Sequence, residues 1–235
     1  MIGSPLQLET AFHLGPVSIS KPVVTTWALM TVLVAVSILT TRRLSLRPSS
    51  LQAFFELVVE TVDSQIRDTM RVDPAPYRSL FGTMFLFILL ANWSALLPGV
   101  EPPTAHLETD AALALIVFMA TIYHGLRTQG VWGYLKTFAE PSLFMVPLNL
   151  AEQITRTFSL IVRLFGNVMS GAFVVGIVLS LAGLLVPIPL MALDLLTGAV
   201  QAYIFAILAM VFTAAAISPA QDAGQPSDGA QNGSN

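Results

Sequence analysis

Residues 147–185 read PLNLAEQITRTFSLIVRLFGNVMSGAFVVGIVLSLAGLL. The run is built mostly of Leu, Ile, Val and Phe, yet it carries Glu152, Arg156 and Arg163. About 20 apolar residues suffice to carry a helix across the hydrocarbon core of a bilayer. This stretch is longer than an upright span needs. At ~100° per residue, Asn149, Glu152, Arg156, Ser159, Arg163, Asn167 and Ser170 fall in one narrow sector. They form a polar stripe about 30 Å long on an otherwise apolar helix. Charges inside a membrane are costly and mark an ion path or a partner.

The stripe is not uniform. Glu152 and Arg156 are four residues apart, in the order that favours a helical ion pair. They are either a self-neutralising structural pair or part of a path. Arg163 has no acid four residues before or after it, and a guanidinium keeps its charge at any ordinary pH. It therefore needs a partner from elsewhere. One reading is a salt bridge to Asp194 in the same chain; the other is a fixed cation facing a carboxylate that arrives and leaves.

Working outward, Pro187 and Pro189 mark a turn, and 190–217 reads as the last apolar helix, antiparallel to the fourth. Its Asp194, Thr197 and Gln201, at i, i+3 and i+7, offer one polar face. Upstream, 23–41 is uncharged, and 79–98 and 111–126 are further spans, which makes five with 147–185 and 190–217. Residues 51–70 differ. Leu51, Phe54, Phe55, Val58, Val62 and Ile66 lie on one side, with Gln52, Glu56, Glu60, Asp63 and Arg67 on the other. That pattern predicts an amphipathic helix in the membrane interface, or a soluble connecting helix packed on a partner. The loop 100–110 carries Glu101, His106, Glu108 and Asp110 but no Lys or Arg. Its acids are either simply solvated or a funnel for cations at the outer mouth of a path. His106 reads as a plain loop residue and His124 as an interfacial one. Residues 1–217 are the membrane domain, and the Gly, Ser, Asn and Gln-rich tail 218–235 is expected to be disordered.

Composition agrees with this class. The chain is 54% hydrophobic and 11% charged, with a mean hydropathy of +0.74, too apolar for an ordinary soluble domain. It has no cysteine, which excludes disulfides, thiolate catalysis and Cys-based metal sites. Its three histidines have no metal-ligand spacing, and no cofactor or metal is implied. The start of the chain lacks a basic n-region, so no cleaved signal is expected. Eight of the 11 Lys and Arg (Arg42, Arg43, Arg47, Arg67, Arg71, Arg78, Arg127 and Lys136) lie between spans one and two or three and four. The positive-inside rule then places the N-terminus outside and the C-terminus in the cytoplasm.

The segment Arg163-Leu164-Phe165-Gly166-Asn167 resembles the arginine motif of subunit a of F-type ATP synthases. Pro147-Leu148-Asn149 and Glu152 precede it, and Gln201-Ala202-Tyr203-Ile204-Phe205 is similar to that family's last-helix motif. Asn92-Trp93, Leu97-Pro98-Gly99 and Pro102-Pro103-Thr104-Ala105 match in order and spacing. The resemblance covers nearly the whole chain apart from its first few residues and its tail. It implies an all-α integral membrane protein of about five transmembrane helices plus one interfacial amphipathic helix. The last two membrane helices would be long and tilted, forming a hairpin against a rotating ring of c subunits.

Two aqueous half-channels would reach mid-membrane from opposite sides, carrying protons or sodium ions. By position Arg163 is the family's essential arginine, with Asn167 and Gln201 its polar neighbours near the ring. The implied partners are the c-ring, the subunit b peripheral stalk and the lipid bilayer, with no nucleic acid. The implied place is an energy-coupling membrane, the bacterial plasma (inner) membrane.

There are departures from the family pattern. Ala172 stands where relatives often carry Glu or His, nine residues after the arginine, while Asp194 stands seven before the glutamine. The channel carboxylate would thus have moved from one helix to the other. His106-Leu107-Glu108 replaces a frequent Asp-x-Asn, and Thr157 a frequent proline. Two rivals remain: a stand-alone channel or secondary transporter, which would also place an arginine on a polar stripe, and an intramembrane enzyme. The latter lacks any Cys, paired His or Ser/His arrangement at membrane depth. The ordered motifs favour a non-catalytic subunit.

Overall fold

A computed structural model describes residues 10–14, 17–42, 50–97, 100–139, 145–183 and 186–217. A short antiparallel hairpin, β1 (Thr10–Leu14) with β2 (Val17–Ser20), leads into six helices. These are α1 (Lys21–Thr41), α2 (Ser50–Met70), α3 (Arg78–Trp93), α4 (Leu107–Ala139), α5 (Met145–Ala182) and α6 (Pro187–Ile217). Short 3-10 turns at Ser94–Leu96 and Pro103–Ala105 join α3 to α4. Five helices, all but α2, are long and apolar enough to cross a membrane. The architecture is that of an all-α integral membrane protein with a small terminal hairpin that the sequence does not advertise.

In α1 the hydroxyls of Thr25, Thr26 and Thr31 bond back to the carbonyls four residues earlier, at 3.2, 2.8 and 2.8 Å. Those polar groups are thus satisfied within the helix, as hydrocarbon surroundings demand. At 31 and 38 residues, α6 and α5 measure about 46 and 57 Å. Both exceed a hydrocarbon core of about 30 Å.

The centre of the bundle is α6, which packs against α2, α3, α4 and α5. Its buried face runs through Ala202, Phe205, Ala206, Ala209 and Met210. Small residues there let neighbouring backbones approach, the usual basis of helix association where lipid competes equally for apolar surface. Ile88 and Ala91 of α3, Ala114 of α4 and Leu164 of α5 complete the core, all fully buried. Polar ties cross the same interfaces. Asn92 Nδ2 donates to the Gly198 carbonyl (2.9 Å) and Thr104 Oγ1 donates to Asn92 Oδ1 (2.8 Å). Trp93 Nε1 reaches the Leu195 carbonyl (3.2 Å), and the hydroxyls of Thr121 and Thr213 meet at 3.3 Å.

Several expectations need correction. The amphipathic helix forms, but Asp63 does not belong to its solvated side. It is buried, bonded through both carboxylate oxygens to Arg78 at the start of α3, with a 2.6 Å contact from Nε. Gln52 is buried as well and donates to Glu56. The apolar side, through Val62, Ile66 and Met70, packs into the chain's own core. The Arg78 guanidinium holds the Asp63 carboxyl below the usual carboxylate range. A depressed value stabilises the fold above the ordinary carboxylate pKa, and that stability is lost as pH falls through the folded value. Asp63→Asn should therefore lower the melting temperature at neutral pH, and the gap from the native chain should close in acid. Thermal unfolding across that range checks it.

The other corrections concern boundaries. Pro187 and Pro189 do not make a turn but sit in the first turn of α6, where missing N–H groups go unmissed. The third span continues through Arg127 as helix to Ala139, kinked at Gly130, whose φ of 72° only glycine adopts freely. The loop 100–110 is shorter than its composition implies, because α4 starts at Leu107. The tail 218–235 and the basic residues Arg43 and Arg47 lie outside the described residues.

Candidate functional site

The polar stripe of α5 forms as its spacing predicts. Leu160, Leu164 and Val168 bury one side of the helix, while Glu152, Ser159, Arg163 and Ser170 are exposed and Asn149, Arg156 and Asn167 half-buried. Glu152 and Arg156 are ion-paired, and the Arg156 guanidinium also lies 5.3 Å from the centre of the Phe212 ring on α6. Such a cation–π contact fixes the head of a long side chain. Phe212 is one residue that sequence reasoning missed, because only the antiparallel register of α5 and α6 brings it there.

Two grooves run along the α5–α6 seam. The first, about 200 Å³, is lined by Tyr134, Asn149, Glu152, Gln153, Arg156, Phe212, Ala215 and Ala216. The second, about 390 Å³, is lined by Glu152, Thr155, Arg156, Ser159, Leu160, Arg163, Leu208 and Phe212. Sharing Glu152, Arg156 and Phe212, they adjoin along the seam from the C-terminal end of α6 to Arg163, with charged and polar groups set in a mostly apolar lining. Arg163 stands at the middle of α5 and, among the described residues, has neither a hydrogen bond nor an ion pair.

Asp194 does not pair with Arg163. It is half-buried, and a Cβ added to Gly171 of α5 would collide with its carboxylate. Gly171 is eight residues beyond Arg163, about 12 Å along the axis, so the two charges sit at different depths. Gly171 is the second residue missed. The shared face expected for Asp194, Thr197 and Gln201 holds only in part. Thr197 is exposed and donates to the Asp194 carbonyl (3.0 Å), whereas Gln201 is buried inside the bundle with its Nε2 unpartnered.

The acids before α4 separate sharply. His106 Nε2 lies 3.7 Å from Glu101 and is mostly buried, so it is more than a plain loop residue. Glu108 is exposed in the first turn of α4. Asp110, read as a loop acid either solvated or in a cation funnel at the outer mouth, is helical and fully buried, and neither carboxylate oxygen has a partner among the described residues. His124 packs between the rings of Tyr77 (4.5 Å) and Tyr123 (5.3 Å), within the bundle's edge.

A family model described as ATP synthase A chain matches residues 23–214. The chain belongs to the ATP synthase A chain family. Among its relatives, ATP synthase subunit a 2 of Bradyrhizobium sp. (strain BTAi1 / ATCC BAA-1182) is 55% identical over 217 residues, covering 92% of this chain and 97% of that protein. ATP synthase subunit a of Albidiferax ferrireducens is 47% identical over 204 residues, covering 86% and 88%. ATP synthase subunit a 1 of Prosthecochloris aestuarii is 44% identical, covering 86% and 92%. The resemblance read from the arginine motif is thus borne out over most of the chain. As a member of the ATP synthase A chain family, it is a multi-pass membrane protein.

Proposed function

We propose that this chain is the stationary ion-conducting subunit of a rotary ATP synthase, and that it passes protons or sodium ions to and from a ring of c subunits turning against the exposed stripe of α5. The observation that carries the reading is Arg163: a permanent cation at mid-helix, exposed on the polar stripe, with no acid beside it among the described residues. A ring carboxylate brought near a fixed guanidinium in low dielectric is driven to its charged form. It therefore gives up its ion on approach and takes one on departure. The same fixed charge keeps cations from crossing directly between the two paths.

The cytoplasmic half-channel is the α5–α6 groove through Glu152, Arg156 and Ser159, ending below Arg163. The outer half-channel enters past His106 and Glu108 and reaches the ring by way of Asp110 and Asp194, with Asn167 and Gln201 as polar neighbours near the arginine. In this orientation the N-terminus is outside, the C-terminus is cytoplasmic, and residues 1–217 are the membrane domain. The relatives' bacterial sources fit a plasma-membrane location. The stator would be completed by the subunit b stalk. The chain itself performs no bond-making chemistry; rotation couples its ion flow to catalysis elsewhere.

The test is purification followed by reconstitution. A tagged chain should bring down a c-ring, and vesicles holding the complex should take up cations on ATP addition, in assays run with and without sodium. Asp194→Asn should slow that uptake without dissolving the complex. A chain that binds no ring and conducts ions alone in liposomes would instead be a self-contained channel.

A further inference from the structure

Asp110 and Gln201 are the described residues that keep a buried side-chain polar atom without a hydrogen-bond partner. Their neighbours do not share that condition, since Thr104 and Asn92 are buried yet bonded to each other and onward to Gly198. Glu108, two residues before Asp110, is exposed. The unmet demand is therefore local.

Asp110 points into the bundle. It shares one face of α4 with Ala114, Val117 and Thr121, at i, i+4, i+7 and i+11, and all four are buried. That face meets α6 where Thr121 touches Thr213, and Gln129 touches Ala216 further on, so α4 and α6 run parallel. Asp110 precedes Thr121 by eleven residues and Gln201 precedes Thr213 by twelve. At ~1.5 Å per residue, the two unpartnered groups lie at nearly the same level, about 17 Å along the helices from the threonine contact. One offers acceptor oxygens and the other an amide donor. The outer half's other charged or titratable groups, on the described elements packed there, are Lys21, Glu101, His106, Glu108, Asp194 and, deeper, Arg163; among the described residues none bonds Asp110.

A bare carboxylate buried without a partner is strongly disfavoured, and it becomes tolerable with a positive charge on it. We propose that Asp110 is a buried station that holds one monovalent cation, a proton or an alkali ion, between the outer mouth and the ring. This deepens the function proposed above and rests on it: Asp110 is not a charge at the mouth but a stop inside the path.

The experiment uses the assembled complex in vesicles, with ATP synthesis driven from the outer side. One arm varies outer pH without sodium; the other varies outer sodium at fixed pH. Asp110→Asn should raise the half-saturating cation concentration about tenfold in the arm that matches the carried ion, while Asp110→Glu retains transport. Arg163→Ala runs alongside. If it transports fully, the underlying reading fails; if it is dead while Asp110→Asn matches the native half-saturation in both arms, only the station is overturned. Should Asp110→Asn and Asp110→Thr fail to assemble while Asp110→Glu assembles and transports, the need for a carboxyl stands. Failure of all three to assemble would make Asp110 a packing residue and overturn the station.

Discussion

Complexes carrying Arg163→Ala are expected to assemble and to lose ATP-driven ion transport entirely. Assembly should survive because the side chain is exposed and makes no hydrogen bond or ion pair among the described residues, so its removal opens no cavity and orphans no partner. The α5 core contacts at Leu160, Leu164 and Val168 are untouched. Transport should not survive, because a neutral residue at mid-membrane neither discharges the ring carboxylate nor blocks cations from slipping between the two paths. Passive ion leak should rise as pumping falls. Vesicle acidification or sodium uptake on ATP addition, with subunit content checked by gel, gives both readings.

Gly171→Val is expected to slow transport on the order of tenfold, about as much as Asp194→Asn. A Cβ at position 171 would land on the Asp194 carboxylate, so α6 must shift or the carboxylate must turn away. A carboxylate turned out of its place on the path is expected to add about 1.4 kcal/mol of barrier, a factor of ten in rate. Because both changes act on one group, the double variant should be little slower than either single one. Fully multiplicative effects would mean that Gly171 matters for another reason.

The spans were legible because hydrocarbon imposes a simple rule on sequence: long runs without charge. The stripe on α5 was legible because helical period sorts Glu152, Arg156 and Arg163 onto one side whatever they pack against. What periodicity cannot supply is the relative height of two helices. Whether Asp194 meets Arg163 or Gly171 depends on the register of the α5–α6 hairpin, and only the packed structure sets it. Asp110 was misplaced for a related reason. A loop acid reads as solvated or as part of a mouth, and its burial arises from α4 starting early and packing inward. Asp63 repeats the lesson, since its bonded partner Arg78 lies on the next helix, while Arg67 one turn away comes only within 4.0 Å.

The most direct test of the central claim asks what faces Arg163. The natural chain has no cysteine, so single cysteines report without background. Ser159→Cys, Gly166→Cys and Ser170→Cys lie on the exposed side of α5, with open space at Gly166. Each should form disulfides with cysteines placed on the outer helix of the c-ring, a bond that needs Cα atoms within about 7 Å. Leu164→Cys and Val168→Cys, on the buried side, should form none. Ring disulfides from the buried side, or none from the side bearing Arg163, would contradict the account.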